Sequence, residues 1–230
     1  TVLSINPALL SNIPYDVARD LAPVVQVGNT ATVVAVHPDL PVRSLRELVE
    51  LEKSKPGTMS YGTAGQGSVP HIAGEYLNQV AGTRFMHVPH RGSAPALTSA
   101  VAGHIPVVVD VLNSILPFLQ DGKLRPLAVL DPQRTPLLPD VPTAIEAGYP
   151  NFVTQAYYGL LAPRRTPPEI VQRLARETTE AITRKDFVER AAGQGITVIG
   201  GTPDDFARMI ERETAAYGTM IRSAGIKGAS

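Results

Sequence analysis

The feature that most constrains the fold is a regular alternation of strand-like and helix-like segments that begins at Ser44. The first helix opens with Ser44 and Glu47 at the spacing of a capping box. Apolar periodicity predicts helices over residues 44–55 and 68–80, after Ser93 and near Ser114, and strands over residues 58–62, 84–88, 105–111 and 124–130. Strands that alternate with helices of about ten residues form βαβ crossovers. The sequence therefore predicts an α/β fold with a doubly wound, mostly parallel sheet that is covered on both faces.

A proline-rich segment over residues 131–150 separates this region from a more helical one. Its prolines prevent regular pairing, so we expect an ordered surface connection. The predicted elements beyond it are strands over residues 157–161 and 196–199 and helices that open at a Thr166–Glu169 capping box, at Lys185 and at Thr202. Two strands make a poor sheet for three helices. We therefore expect a second α/β domain that is only partly present.

The charge balance excludes several kinds of partner. Lys and Arg number 21 and Asp and Glu number 21, so the formal net charge is zero. A neutral chain without a basic stretch lacks the attraction that nucleic acids and anionic membranes require, and neither is expected as a partner. The longest nearly apolar run, residues 105–112, is interrupted by Asp110 and is much shorter than a membrane span. The absence of cysteine excludes disulfides, thiolate nucleophiles and cysteine-ligated zinc.

A glycine-rich loop over residues 62–68 connects the end of a predicted strand to the start of a predicted helix. Helix starts carry unpaired amides and the positive end of the helix dipole, so such a loop can bind an anion. The lysine that a nucleotide P-loop needs before its final serine is absent. The alternative interpretation is a tight turn with Ser68 as the helix cap. The candidate ligand-binding residues of this loop are Thr63, Ala64, Gly65, Gly67 and Ser68.

A second loop, residues 87–95, also joins a strand end to a helix start, with Ser93 as the predicted cap. Loops that follow neighbouring parallel strands meet at one sheet edge, where ligands of open α/β sheets bind. Arg91, Gly92 and Ser93 add donors for a carboxylate at this edge, and Asp110 offers a carboxylate for an amino or hydroxyl group. Alternatively, Asp110 caps the next helix and Arg91 lies on a solvated surface.

Other kinds of chemistry find less support in the residues. His87 and His90 have no third ligand at a suitable spacing, so no metal site is expected. Neither a Gly-x-Ser-x-Gly motif nor a pair of acids supports covalent or glycosidase chemistry. His71 is expected to pack against or hydrogen-bond the loop before it. Tyr157 and Tyr158 face opposite ways in a strand, so one is expected in the core, and we assign Tyr158 to a cleft.

Several motifs run along the whole chain in the order found in one known family. They include Asn6-Pro7-Ala8-Leu9, Ser60-Tyr61-Gly62 with His71 and Glu75, His87-Val88-Pro89, Arg91-Gly92-Ser93-Ala94-Pro95-Ala96, Gly122-Lys123-Leu124-Arg125 and Leu138-Pro139-Asp140-Val141-Pro142-Thr143. With these motifs the chain resembles the Bug family, the periplasmic receptors of tripartite tricarboxylate transporters. The sequence differs from the family pattern at His90-Arg91, where the family usually has Tyr-Lys, and at Gly62, which replaces a small side chain.

The resemblance implies a periplasmic-binding-protein-like receptor that acts in the periplasm without catalysis and without a cofactor. Such receptors close around a small carboxylate, an organic acid or an amino acid, and deliver it to the permease subunits of a membrane transporter. Thr63, Ala64, Gly67 and Ser68 would form the carboxylate loop, Arg91–Ser93 its neighbour, and Asp110 part of the wall.

Members of that family begin with two further βα units, whose Pro-Gly-Gly loop supplies an opposing grip on the carboxylate. The chain is expected to enter after these units. The resemblance thus implies a ligand-binding domain two at residues 28–153 and an incomplete domain one at residues 1–27 and 154–230. The missing units would weaken binding and expose apolar faces in domain one. Large uncovered apolar faces favour self-association, so a homo-oligomer is a further expectation.

Three functions are therefore compared. The preferred one is a receptor for a small carboxylate. The second is an α/β enzyme in which His90 or Asp110 acts as a base and Arg91 holds the substrate. The third is an interaction or self-association module with weak solute binding or none.

Overall fold

The computed structural model describes residues 1–10 and 12–226, and these form nine helices and seven strands. The helices are α1 (Val2–Leu9), α2 (Val17–Asp20), α3 (Leu45–Ser54), α4 (Val69–Ala81), α5 (Ser93–Val101), α6 (Leu112–Gln120), α7 (Pro168–Ile182), α8 (Lys185–Gly193) and α9 (Pro203–Ser223). The strands are β1 (Leu21–Val36), β2 (Ser60–Thr63), β3 (Met86–Pro89), β4 (Val107–Val111), β5 (Arg125–Val129), β6 (Gln155–Pro163) and β7 (Ile196–Val198). The α/β alternation predicted after Ser44 is confirmed. No described helix combines the length and the apolar character needed to cross a bilayer.

One long strand, β1, joins two parts of the molecule. Its first part, residues 21–31, lies antiparallel to β6, and residues 28–30 also pair with β7. Its last five residues, 32–36, lie between β4 and β5. We call the strands β6, β1 and β7 with helices α7, α8 and α9 the three-stranded half, and the strands β3, β2, β4, β1 and β5 with helices α3 to α6 the five-stranded half.

The sequence patterns did not predict β1. Its pairing with β6 shifts register twice, once between Pro23 and Val25 and once between Gln26 and Gly28. Each shift moves side chains to the other face of the sheet, so the alternation that identifies a strand is lost. The expected boundary between residues 27 and 28 lies inside this strand.

The sheet of the five-stranded half is mostly parallel in strand direction. Strand β2 is parallel to β3 and β4, and β1 is antiparallel to β4 and β5, so four of the five strands point the same way. Val34 and Val36 belong to a buried cluster that includes residues of α3 and α4. Val33 and Ala35 belong to a second cluster with residues of α5 and α6. Both faces are therefore covered, as a doubly wound sheet requires.

The helix starts differ in how their first amides are satisfied. The Ser44 hydroxyl accepts the Glu47 amide at 3.1 Å, while the Glu47 carboxylate accepts the Arg43 amide at 2.7 Å instead of that of Ser44. Thr202 forms a complete capping box with Asp205 at the start of α9. The capping box predicted at Thr166 is wrong: Pro167 is the N-cap of α7 and no side chain caps it. The Thr166 amide instead donates to the Pro163 carbonyl at 2.9 Å, which places Thr166 in the turn after β6.

Helix α1 packs against the start of α4 and the last turns of α9. Ile5 and Leu9 share a buried cluster with Ile72 of α4 and with Tyr217 and Ile221 of α9. The proline-rich segment 131–150 contains no helix or strand and is fixed by turns and by a bridge between Val129 and Thr143. This confirms the ordered connection predicted from its prolines.

Candidate functional site

The two loops singled out in the sequence are hydrogen-bonded to each other. The His90 amide donates to the Thr63 carbonyl at 3.1 Å, and the Gly92 amide donates to the Ala64 carbonyl at 2.9 Å. Gly65 has a φ of +132°, and a Cβ there would lie 2.8 Å from the His90 carbonyl oxygen. Only glycine fits this close approach. The starts of α4 and α5 are therefore neighbours at one edge of the sheet, as the sequence predicted.

A cleft of about 250 Å³ lies between these helix starts, the end of β4 and strand β6. It is lined by Thr1, Ala64, Ser68, Val69, Pro70, Ser93, Asp110, Val111, Ala156, Tyr157 and Tyr158. Five of the ten predicted ligand-binding residues line it: Ala64, Ser68, Ser93, Asp110 and Tyr158. The cleft thus brings together residues from both halves of the molecule.

The glycine amides of the first loop are used within the protein. The Gly65 amide donates to the Thr63 hydroxyl at 3.2 Å, and the Gly67 amide donates to His71 Nδ1 at 3.2 Å. This second bond confirms that His71 hydrogen-bonds the loop before it. The Ser68 hydroxyl donates to the Gly65 carbonyl at 2.6 Å. These bonds give the loop its shape, and the amides of Gly65 and Gly67 are not free for a ligand.

The free backbone donors lie at the first residues of the two helices. The amides of Val69 and Ser93 have no acceptor among the described residues, since a helix leaves its first amides unpaired. Such amides, together with the helix dipole, favour an anion. The sequence located this edge correctly, but it did not single out Val69, whose apolar side chain gives no sign of a free amide.

Three stacked rings lie beneath the first loop. The His87 ring is 4.2 Å from that of His71 and 5.0 Å from that of Tyr61, measured between centroids. His87 Nε2 is 2.7 Å from the Thr63 hydroxyl oxygen. Burial, with smaller contributions from the charges of His71 and His90, lowers the pKa of His87 to about 4. The stack is therefore neutral at pH 7 and positions Thr63 behind the cleft.

Asp110 places a buried carboxyl group at the cleft. It is fully buried, and its Oδ1 accepts the Ser93 hydroxyl at 2.8 Å and the Val111 amide at 2.7 Å. Its Oδ2 has no hydrogen-bond partner among the described residues. Burial raises the pKa of this carboxyl to about 6, although both hydrogen bonds act in the opposite direction.

The bond between Ser93 and Asp110 corrects two predictions about helix caps. Ser93 is not the cap of α5, because Gly92 is its N-cap and the Ser93 hydroxyl is directed to Asp110. The alternative role of Asp110 as a cap is also wrong, because Val111 is the N-cap of α6 and no side chain caps that helix. The two residues are 17 positions apart, and local spacing carries no signal of their contact.

The two adjacent tyrosines of β6 separate as predicted. Tyr157 is buried and its hydroxyl lies 2.7 Å from that of Ser4, whereas Tyr158 is 38% exposed. The Tyr158 hydroxyl donates to Asn113 Oδ1 at 3.2 Å, which connects β6 to α6 across the cleft. Asn113 was not among the predicted site residues, since it lies 45 positions from its partner.

Arg91, the other charged residue among the predicted ligand-binding residues, lies outside the cleft. The Arg91 side chain is exposed and does not line the cleft. His90 is also outside the lining, and its Nδ1 lies 3.1 Å from the Val88 carbonyl oxygen. Of the groups considered for acid–base chemistry, Asp110 alone is among the residues that line this cleft.

A mostly parallel α/β sheet, joined by one long strand to a second sheet and carrying helix starts at the intervening cleft, defines the periplasmic-binding-protein class. The family model "Tripartite tricarboxylate transporter family receptor", TctC, matches residues 1–226. The chain belongs to this family.

Curated relatives and solved structures agree with that assignment. Protein BugT of Bordetella pertussis is 33% identical over 225 residues, which are 98% of this chain and 69% of BugT. A protein from the tcbD-tcbE intergenic region of a Pseudomonas species is 34% identical over 222 residues, which are 96% of this chain and 66% of that protein. The chain thus spans about two thirds of these relatives.

Two similar solved structures contain carboxylates. "R. palustris Rpa4515 with adipate" has a TM-score of 0.95 at 31% identity, covering 99% of this chain and 76% of that one. "MatC (Rpa3494) from Rhodopseudomonas palustris with bound malate" has a TM-score of 0.88 at 28% identity, covering 95% and 76%.

Proposed function

We propose that this protein is a receptor that binds a small organic carboxylate and does not transform it. The observation that carries the proposal is the pair of adjoining helix starts, α4 and α5, with unpaired amides beside a cleft. Adipate and malate in similar receptors support the same class of ligand.

In the proposed complex, the amides of Val69 and Ser93 donate to the ligand carboxylate. Ala64, Ser68 and Tyr158 surround it as residues of the cleft lining. Thr63, Gly65, Gly67 and Gly92 act by shaping the two loops through the hydrogen bonds described above. Arg91, exposed at the rim of the second loop, contributes a positive charge that attracts anions over a longer distance.

The cellular role follows from the family. We propose that the protein acts in the periplasm and delivers its carboxylate to the permease subunits of a tripartite tricarboxylate-type transporter. The proposed ligand-binding domain comprises residues 28–153, and residues 1–27 and 154–230 form the domain that faces it across the cleft. Strand β1 connects the two, so a bend within it would open or close the cleft.

Calorimetric titration with adipate, malate, aspartate and glutamate tests the proposal. Val69→Pro removes one free amide at a helix position where proline is tolerated, and the extended backbone of Ser68 is compatible with a following proline. A hydrogen bond to a charged group contributes roughly 1.5–3 kcal/mol, so we expect about a ten- to hundredfold weaker affinity.

The matched control is Val69→Ala, which shortens the same side chain but keeps the amide. It is expected to bind nearly as well as the original protein. Equal losses in the two variants would contradict a role for the amide, and no binding of any of the four acids would contradict the proposed function.

Self-association is a second proposal, favoured by the exposed apolar side chains of the three-stranded half. Leu160, Ile170 and Leu174 are 39%, 47% and 39% exposed. Sedimentation velocity over a range of protein concentrations measures it directly, and a compact monomer throughout would exclude it.

A further inference from the structure

We propose that Asp110 enters the ligand complex as a neutral acid and donates its Oδ2–H to the bound carboxylate, so that one proton is taken up with each ligand. The inference rests on the proposed function, because it requires a carboxylate in the cleft. It adds that binding is linked to pH and that the ligand needs no donor group of its own.

The two oxygens of Asp110 have different surroundings. Oδ1 already accepts two hydrogen bonds, from the Ser93 hydroxyl and the Val111 amide. Oδ2 is buried and has no partner, although the residue lines the cleft. A buried polar atom without a partner is costly, and such atoms are rare in folded proteins. The proton therefore belongs on Oδ2, from which it can be donated to a ligand in the cleft.

The charges around Asp110 favour the neutral form once an anion is bound. The titratable side chains that line the same cleft are Tyr157 and Tyr158, both on β6. Burial raises the pKa of both tyrosines, so their hydroxyl groups are neutral near pH 7. The residues of α4, α5 and β4 that line the cleft beside Asp110 carry no other titratable group.

Asp110 therefore lacks a lysine, arginine or histidine in the cleft lining to balance a negative charge. An ionised Asp110 would repel the carboxylate that the neighbouring amides attract, since charges interact strongly where water is excluded. Protonation removes this repulsion and converts Oδ2 into a donor. The pKa of Asp110, raised to about 6 in the unliganded protein, means that the proton is acquired at moderate cost near neutral pH.

An ionised Asp110 could instead accept a hydrogen bond from an ammonium or hydroxyl group of the ligand. The two arrangements make opposite predictions for Asp110→Asn. The asparagine side chain keeps an oxygen for Ser93 and Val111 and places an amide donor at the position of Oδ2. It therefore resembles the neutral acid and cannot accept a hydrogen bond at that position.

The test is calorimetric titration of adipate, which has no donor besides its carboxyl groups, between about pH 6.5 and pH 8. For the original protein we expect the dissociation constant to rise about tenfold per pH unit, since only the protonated fraction binds. Titrations in two buffers of different ionisation enthalpy should show close to one proton taken up per adipate at pH 7.5.

Asp110→Asn should bind adipate without this pH dependence. At pH 7.5 its affinity should exceed that of the original protein by up to about thirtyfold, because a group with a pKa near 6 is mostly ionised there. Asp121→Asn, which removes an exposed carboxylate at the end of α6, serves as the control and should behave like the original protein. Circular dichroism confirms that each variant is folded.

Weaker adipate binding by Asp110→Asn without proton uptake in the original protein would overturn the inference and leave the receptor function intact. Tighter binding of malate or aspartate than of adipate, lost in Asp110→Asn, would assign Asp110 as an ionised acceptor and also overturn it. No binding of adipate, malate or aspartate at any pH by either protein would overturn the proposed function itself.

Discussion

The two halves of the molecule share a strand but differ in how completely their sheets are covered. In the five-stranded half, residues 33–36 of β1 are fully buried between two layers of helices. In the three-stranded half, the central residues of β6 are exposed, and six of the nine large exposed apolar side chains of the described residues lie there. These six are Tyr158, Leu160, Ile170, Leu174, Val188 and Ile199. Strand β1 thus belongs at one end to a sheet that is covered on both faces and at the other end to a sheet that is partly exposed.

The charged surface follows the same division. Seven of the eleven ion pairs found among the described residues lie between residues 173 and 213, on the helices of the three-stranded half. Such exposed pairs contribute little to stability, typically below about 1 kcal/mol each. These ion pairs therefore add little to the stability of the three-stranded half.

The largest expected effect on the free energy of unfolding comes from truncating one leucine to alanine in each half. Leu127→Ala empties a position that is 1% exposed in the core of the five-stranded half, and should lower the free energy of unfolding by about 3 kcal/mol. Leu174→Ala makes the same change at a position that is 39% exposed on α7, and should cost less than about 1 kcal/mol. Urea unfolding measures both, and similar losses would contradict the proposed difference between the halves.

A pH-dependent effect is expected from the ring stack of the five-stranded half. The pKa of His87 is lowered to about 4, mainly by burial, from an ordinary value near 6.5. Between these values the unfolded chain binds the proton and the folded protein does not. The free energy of unfolding should therefore fall as the pH is lowered from about 6.5 to about 4.

His87→Gln keeps a neutral hydrogen-bonding group beside Thr63 and removes this titration. Its free energy of unfolding should fall less steeply with acid, by at most about 1.4 kcal/mol per pH unit for one proton. Urea unfolding at several pH values gives the slopes. Asp110→Asn is a control that should change the slope in the opposite direction. The pKa of Asp110 is raised to about 6, so in this pH range the folded protein binds a proton at Asp110 more readily than the unfolded chain does. Removing this group should make the free energy of unfolding fall more steeply with acid. Parallel curves for His87→Gln and the original protein would show that His87 does not titrate as described.

The smallest expected effect on the free energy of unfolding comes from two helix starts in the three-stranded half. Their sequences look alike. Thr202→Ala breaks the capping box of α9 and should lower the free energy of unfolding by about 1 kcal/mol. Thr166→Ala removes no cap, because Pro167 is the N-cap of α7, and should change it by less than about 0.5 kcal/mol. Thermal unfolding of the pair is sufficient, and an equal loss at Thr166 would mean that this residue caps its helix in solution.

The sequence predicted the separate helices and strands of both halves after Ser44, but it did not predict β1, which the two halves share. Local signals are clearest in the five-stranded half. Its helices and strands are short and separate, so apolar period, Ser44 as a cap and Gly82 as a left-handed helix end each mark a boundary locally. Strand β1 was not predicted, because its register shifts interrupt the alternation of apolar and polar residues and because its antiparallel partners lie far away in the sequence. The cap predicted at Thr166 failed for a related reason, since its amide is used by the turn that leaves β6.

The candidate site divides in the same way. The position of both loops at strand ends was predictable, because glycine-rich turns and helix starts are encoded within a few residues. The sequence did not predict which amides remain free. The Gly67 amide donates to His71 Nδ1, and the Val69 amide lacks an acceptor only because of how the loop folds.

By itself, the sequence determined the α/β alternation and the position of two helix starts at one sheet edge, because both arise from interactions between residues a few positions apart. The tertiary structure alone decided that β1 serves two sheets, that Tyr158 reaches Asn113 across the cleft, and that Ser93 saturates one oxygen of Asp110 and leaves the other buried and unpaired. These contacts join residues far apart in the chain. They form only when the packed core fixes the distances between elements, and no local pattern of residue types records those distances.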